Sequence, residues 1–208
     1  MLTEAAMSTA ALPQQPPDLP PIRLHRLSVK QYHRMIETGV LTENDPVELL
    51  EGLLVSKMPH HPSHDGSISV LGRELRLMLP TKWIVRIQSA ITLDRSEPEP
   101  DLVVALGPEE RYFAAHPTAS DIALAVEVSD SSLDFDRRDK LRVYARNNIP
   151  VYWIVNLMEK VVEIYADPKP GKVPAYRSRE VRGLEFGVDV VIAGKKIAGI
   201  AVRHLFPR

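Results

Sequence analysis

The chain has 208 residues, 26 Lys plus Arg against 27 Asp plus Glu, and no cysteine. That length suits one domain with a sizeable core. The balance excludes a globally basic nucleic-acid binder, and the missing thiols exclude disulfides and thiolate metal sites.

From Met1 to about Pro21 the chain is rich in proline, with five between Pro13 and Pro21, and carries no basic start before a mildly apolar stretch. Residues 1–21 read as an extended, disordered tail rather than a secretory signal, leaving 22–208 as a single domain. No run of apolar residues is long enough for a membrane span. With no cysteine in the chain, a cytoplasmic protein is the simplest expectation.

In chain order, SVKQYHRMIETG predicts a short helix capped by Ser28 and stopped at Gly39. LTENDPVELLEGLLVSKM holds two apolar runs broken by Glu51-Gly52, which predicts a hairpin beginning near Val47. In HPSHDGSISVLGRELRLML the second half has helical spacing at Ile68, Leu71, Leu75 and Leu79. KWIVRI, SAITL, DLVVAL and IALAVEV read as strands, the last two as central ones covered on both faces. Ser132 to Asn148 is the clearest helix. VYWIVNL and VVEIYAD follow as paired strands, then YRSREV, VDVVI and KIAGI. The order predicts an α+β fold with a mixed central sheet flanked by helices. There is no GxGxxG, Walker or GxSxG motif.

Two acids stand out. Asp101 opens DLVVAL, and Glu127 lies near the end of IALAVEV among apolar residues. If those runs are antiparallel neighbours, the start of one meets the end of the other and the carboxylates converge. Close carboxylates repel unless a cation sits between them, and Mg²⁺ suits an oxygen-only site. The competing reading is an exposed strand end with Glu127 paired to an arginine. Lys140 falls on the inward stripe of the next helix with Leu133, Arg137, Leu141, Tyr144 and Ala145. It either meets a buried carboxylate, snorkels to solvent, or pairs locally with Asp136 four residues earlier.

Three segments, YHRMIETGVLTENDPVELLEGLLV, SEPEPDLVV and LAVEVSDSSLDFDRRDKLRVYARNNIPVYWIV, give the chain a specific resemblance. It resembles the Uma-two family of restriction-endonuclease-like proteins, within the PD-(D/E)XK nuclease superfamily, over roughly residues 28–206. The resemblance implies a restriction-endonuclease-like core and a Mg²⁺-dependent DNA endonuclease, with Mn²⁺ as a substitute. It makes Asp101, Glu127 and Glu48 the metal-binding acids and Lys140 the catalytic lysine. The superfamily's usual lysine, two residues after the second acid, is Ser129 here, so Lys140 must reach the site from the helix. Glu97, Gln88, His64, Ser129 and Tyr144 are candidate site-lining residues. The alternative is a noncatalytic nuclease-fold module that binds nucleic acid or a protein partner. Cutting both strands of DNA takes two sites, which makes a homodimer plausible, though no residue pattern fixes one.

His60, His61 and His64 in HHPSH suggest zinc, but Pro62 interrupts the helix that would align them and no cysteine completes a set, so a loop or helix entrance is the better reading. Trp83 and Trp153 read as core.

Overall fold

A computed structural model describes residues 24–59 and 61–206. The proline-rich tail and His60 lie outside the described residues.

Helix α1 (Val29–Glu37) begins at Ser28, whose hydroxyl accepts from the Gln31 backbone while the Gln31 side chain accepts from the Ser28 backbone. This reciprocal capping box satisfies two donors that a helix start otherwise leaves orphaned. Strands β1 (Val47–Leu50) and β2 (Leu53–Ser56) form the expected hairpin, with Leu50 opposite Leu53. Its two turn residues, Glu51 and Gly52, have φ of 48° and 82°, the double left-handed geometry that matches strand twist. A side chain at Gly52 would meet the Leu27 carbonyl oxygen at 2.8 Å, so the chain needs glycine there for space as well as for φ.

Helix α2 (Pro62–Met78) starts earlier than its apolar spacing suggests. Pro62 occupies the first turn, where its missing N–H costs nothing, so it opens the helix instead of breaking it. Strands β3 (Trp83–Ile87), β4 (Leu102–Leu106), β5 (Ile122–Ser129), β6 (Val151–Asn156), β7 (Val161–Lys169) and β8 (Ala175–Gly183) make one sheet in that spatial order. Only β5 and β6 run parallel, joined by the crossover through α3 (Leu133–Phe135), a π-helical segment (Asp136–Lys140) and α4 (Leu141–Arg146). Strands β9 (Gly187–Ile192) and β10 (Lys195–Ala201) form a separate hairpin.

SAITL is not a strand. Its alternation places Ile91 and Leu93 in the core, but the backbone N–H groups of Ile91, Thr92 and Leu93 go to the carbonyls of Pro98, Pro117 and Ser96. The facing SEPEP segment has two prolines without N–H donors, so no ladder can form.

The sheet separates two apolar layers. Leu102, Val104, Leu124, Val126 and Val128 pack with Leu71 and Leu75 of α2 and with the β9–β10 hairpin. Val103, Ala105 and Ala125 pack with Leu50 and with Val143 and Tyr144 of α4. All eight residues of β5 are buried, as its continuous apolar run predicts, and Trp153 is fully buried. No helix among the described residues is long and apolar enough to cross a membrane.

Candidate active site

Strands β4 and β5 are antiparallel neighbours with Leu102 opposite Val126. The residues just outside that pair, Asp101 and Glu127, therefore meet. By strand alternation both share the sheet face of Val103, Ala105 and Ala125, beneath the crossover helix. The Asp101 backbone donates to Glu127 Oε2 at 3.4 Å, and Val128 N–H donates to Asp101 Oδ2 at 2.8 Å.

The crossover helix delivers the cation. Lys140 Nζ donates to Glu48 Oε2 at 2.8 Å and lies 3.3 Å from Glu127 Oε1. Tyr144, one turn on, donates its hydroxyl to Glu127 Oε1 at 2.6 Å. Asp136, one turn back, accepts from Ser129 at 2.7 Å and Ser132 at 2.6 Å. Three residues spaced by four drift about 40° per step around an α-helix. The π segment, where Leu141 N–H reaches back to the Asp136 carbonyl, makes a wider turn and offsets that drift. Asp136, Lys140 and Tyr144 are all buried on this account.

Glu48 comes from β1, and its Oε2 also accepts from the Glu99 backbone at 3.0 Å. His64, in the first turn of α2, places Nε2 3.1 Å from Asp101 Oδ2. Glu48, Asp101, Glu127 and Lys140 are each no more than 7% exposed and line the floor of a cleft of about 320 Å³, together with Asp136, His64 and Gln88.

The electrostatics follow from crowding. Burial, then the neighbouring Asp101 and Asp136 carboxylates, push Glu127 up to about 8 against the opposing pull of Lys140 and the Tyr144 hydroxyl. Burial also raises Asp136 to about 6, although its serine hydrogen bonds oppose this. For Lys140, burial favours the neutral amine, but Glu127 and Glu48 outweigh it and keep the ammonium well above its ordinary range. Burial likewise disfavours charge on His64, and its hydrogen bond to Asp101 reverses the balance upward.

Not every expected residue lines the cleft. Glu97 points away from it: its carboxylate oxygens both lie 2.8 Å from His33 Nε2 of α1, and Oε2 also accepts from Thr92. Glu99 is the acid of SEPEP that borders the cleft, paired with Lys57 at 2.6 Å. Ser129 and Tyr144 sit behind the cleft wall, holding Asp136 and Glu127. Asp136 was not among the expected residues, because in DRRDK its charge reads as one end of a local ion pair. The signal that could find it is the serine pair at Ser129 and Ser132, two hydroxyls flanking a strand exit ahead of a helical acid. His61 borders the cleft, but among the described residues no three His, Asp or Glu side chains are grouped to hold a metal as they stand, and Lys140 occupies the space between Glu48 and Glu127.

Comparison with known proteins agrees with this architecture. Residues 29–193 match the model of the Uma2 family, described as "Putative restriction endonuclease". Among solved structures, the chain is similar to the 1.96 Å crystal structure of "a putative nuclease belonging to DUF820 from Anabaena variabilis ATCC 29413". The TM-score is 0.63 at 16% identity, covering 82% of this chain and 95% of that one, a likeness of fold. No curated protein matches. With the family match spanning most of the chain, and the converging strands and crossover helix in a nuclease fold, the chain belongs to the Uma2 family of restriction-endonuclease-like proteins.

Proposed function

We propose that this chain is a divalent-metal-dependent DNA endonuclease that hydrolyses phosphodiester bonds in the cleft floored by Asp101 and Glu127. The observation that carries this reading is Lys140: a buried ammonium 2.8 Å from Glu48 and 3.3 Å from Glu127, reached from the helix after β5. It supports the idea that the lysine missing at Ser129 is replaced in space by one from another element.

The donor chemistry suits a hard cation, although among the described residues the three acids are not drawn together around one point as they stand. The donor set is all oxygen, it has more acids than cations, and Asp101 Oδ1 accepts no hydrogen bond from the described residues. Asp101 and Glu127 would hold Mg²⁺ or Mn²⁺ directly, with Glu48 completing the set through water. Such a cation supplies charge neutralisation at a phosphodiester oxygen and a lower pKa for the attacking water. Lys140 donates a hydrogen bond to the charge that builds on the phosphate, and the buried floor keeps that interaction strong. His64 fixes one Asp101 oxygen and leaves the other for the metal. In the hydrolysis, the water oxygen bonds to phosphorus as the P–O3′ bond breaks. The 3′ oxygen leaves and takes a proton, and the other product keeps a 5′-phosphate.

The test is supercoiled plasmid incubated with purified chain in Mg²⁺ or Mn²⁺, in EDTA, and with Asp101→Asn. Nicking or linearisation in metal, none in EDTA, and a loss of at least ~100-fold in the variant are expected. Cleavage in EDTA, or unchanged cleavage by Asp101→Asn, overturns the mechanism. DNA binding without cleavage moves the chain to the noncatalytic reading.

A further inference from the structure

The cleft is narrow, recessed and acidic, which is unusual for a site that must take in a polyanion. Its floor acids are no more than 7% exposed. Among the described residues six carboxylates line it, Glu48, Glu99, Asp101, Glu127, Asp130 and Asp136, against two lysines. Both lysines are already engaged, Lys57 with Glu99 at 2.6 Å and Lys140 with Glu48 at 2.8 Å. No arginine is among the described residues that line it. The lining also carries apolar side chains: Val55 in β2, Met58 and Pro59 just after it, and Phe135 in α3.

Resting on the nuclease reading above, we propose that this cleft takes one unpaired nucleotide, so that the substrate is single-stranded DNA, or a single-stranded flap or gap, rather than intact duplex. A duplex is held by rows of Lys and Arg along two phosphate backbones. Among the described residues that line the cleft no Lys or Arg is uncommitted, and Asp130 and Glu99 would add negative charge against a second strand. A paired nucleotide also cannot lead its phosphate down to buried acids without bringing its complement to the mouth. An unpaired one can rotate its backbone, send the phosphate to Asp101 and Glu127, and rest its base against Met58, Pro59 and Phe135. Apolar and aromatic walls of this kind accept any base, because every base has a stacking face. A cleft of about 320 Å³ lies at the small-ligand end of binding-site sizes, a scale suited to one nucleotide.

The test compares one 5′-labelled oligonucleotide as a free strand, as a blunt duplex, and as the flap of a branched duplex, with the full chain in Mg²⁺ and in Mn²⁺. The free strand and the flap are cut at least ~10-fold faster than the blunt duplex if losing the stacked base is what the duplex suffers. Equal or faster cutting of the blunt duplex overturns the proposal. If nothing is cut, the nuclease reading falls, and fluorescence anisotropy of the same labelled DNAs in Mg²⁺ still decides the pocket. Tighter binding of the free strand supports it, and equal or tighter binding of the duplex overturns it. Met58→Ser, at a residue 53% exposed and dispensable for the core, should weaken free-strand binding by about fivefold through lost apolar contact with the base. Phe135→Ala should do the same, with a thermal melt confirming the fold. Free-strand affinity unchanged in both variants overturns the proposed wall.

Discussion

Lys140 and Glu48 are 92 residues apart in the chain, and their charged atoms are 2.8 Å apart in the fold. The pair joins the crossover helix to the β1–β2 hairpin at the floor of the cleft, and Glu127 at 3.3 Å shares the same ammonium. Removing that charge leaves two buried acids without their counter-ion. Lys140→Met is expected to cost about 3–5 kcal/mol of stability at neutral pH, the usual penalty for orphaning one side of a buried pair. Denaturant titration measures it. Added Mg²⁺ should recover more stability in the variant than in the wild type, while cleavage stays at least ~100-fold down, because metal can replace the lysine's charge but not its hydrogen bond to the phosphate.

If Glu127 holds the cation as proposed, its ionisation gives metal binding a pH dependence. Its ionisation sits near 8 in the folded chain, against 4.5 for an ordinary glutamate in water. Between those values the folded form holds a proton that the unfolded form has released, so this group makes stability fall as pH rises. A cation that binds the ionised carboxylate reverses the penalty. The rise in melting temperature on adding Mg²⁺ should therefore be small at pH 6 and grow through pH 8, with proton release on binding. A shift that is equal at pH 6 and pH 9 would detach Glu127 from the metal.

Much of this arrangement is legible in the residues. Glu51-Gly52 marks the hairpin, and two apolar runs carrying Asp101 and Glu127 mark central strands, whose adjacency is a condition that only the β4–β5 register meets. What escapes is geometry that local pattern cannot carry. Glu97, Glu99 and Asp101 alternate as if on one strand face, but Pro98 and Pro100 prevent a ladder, and Glu97 N–H bonds to the Leu49 carbonyl in an isolated bridge. Glu97 then turns to His33 while Glu99 borders the cleft. Asp136 escapes because regular α-helical pitch does not align it with both Lys140 and Tyr144; the π segment does, and nothing in DRRDK announces a change of pitch.

The division between Glu97 and Asp101 is testable. Glu97→Ala strips partners from Thr92 and His33, and should cost about 1–3 kcal/mol as an unmade buried hydrogen-bond set. It should leave the Mg²⁺-induced rise in melting temperature intact. Asp101→Asn should do the opposite, with little change in metal-free stability and loss of that rise. A Glu97→Ala protein that folds normally yet no longer responds to Mg²⁺ would add Glu97 to the metal set.

Glu51 ties the hairpin to α4 from outside the cleft. Its Oε2 accepts from Arg142 at 2.9 Å, while Oε1 lies 3.2 Å from Arg146 Nε as an ion pair without hydrogen-bond geometry. Both arginines are more than a third exposed, so solvent screens the pairs and their contribution to stability is small, below about 1 kcal/mol. Their contribution to placement is larger, because Glu48 is three residues upstream on the same hairpin and must meet Lys140 from α4's own helix. Glu51→Gln should thus melt within a few degrees of wild type yet lower kcat by about tenfold, as a misplaced catalytic group does. KM should hold, since Glu51 does not line the cleft. Salt should reproduce part of the effect in the wild type by weakening the same screened pairs. A variant with normal kcat would assign these arginines to stability alone and leave Glu48 positioned by the Glu99 backbone and Lys140.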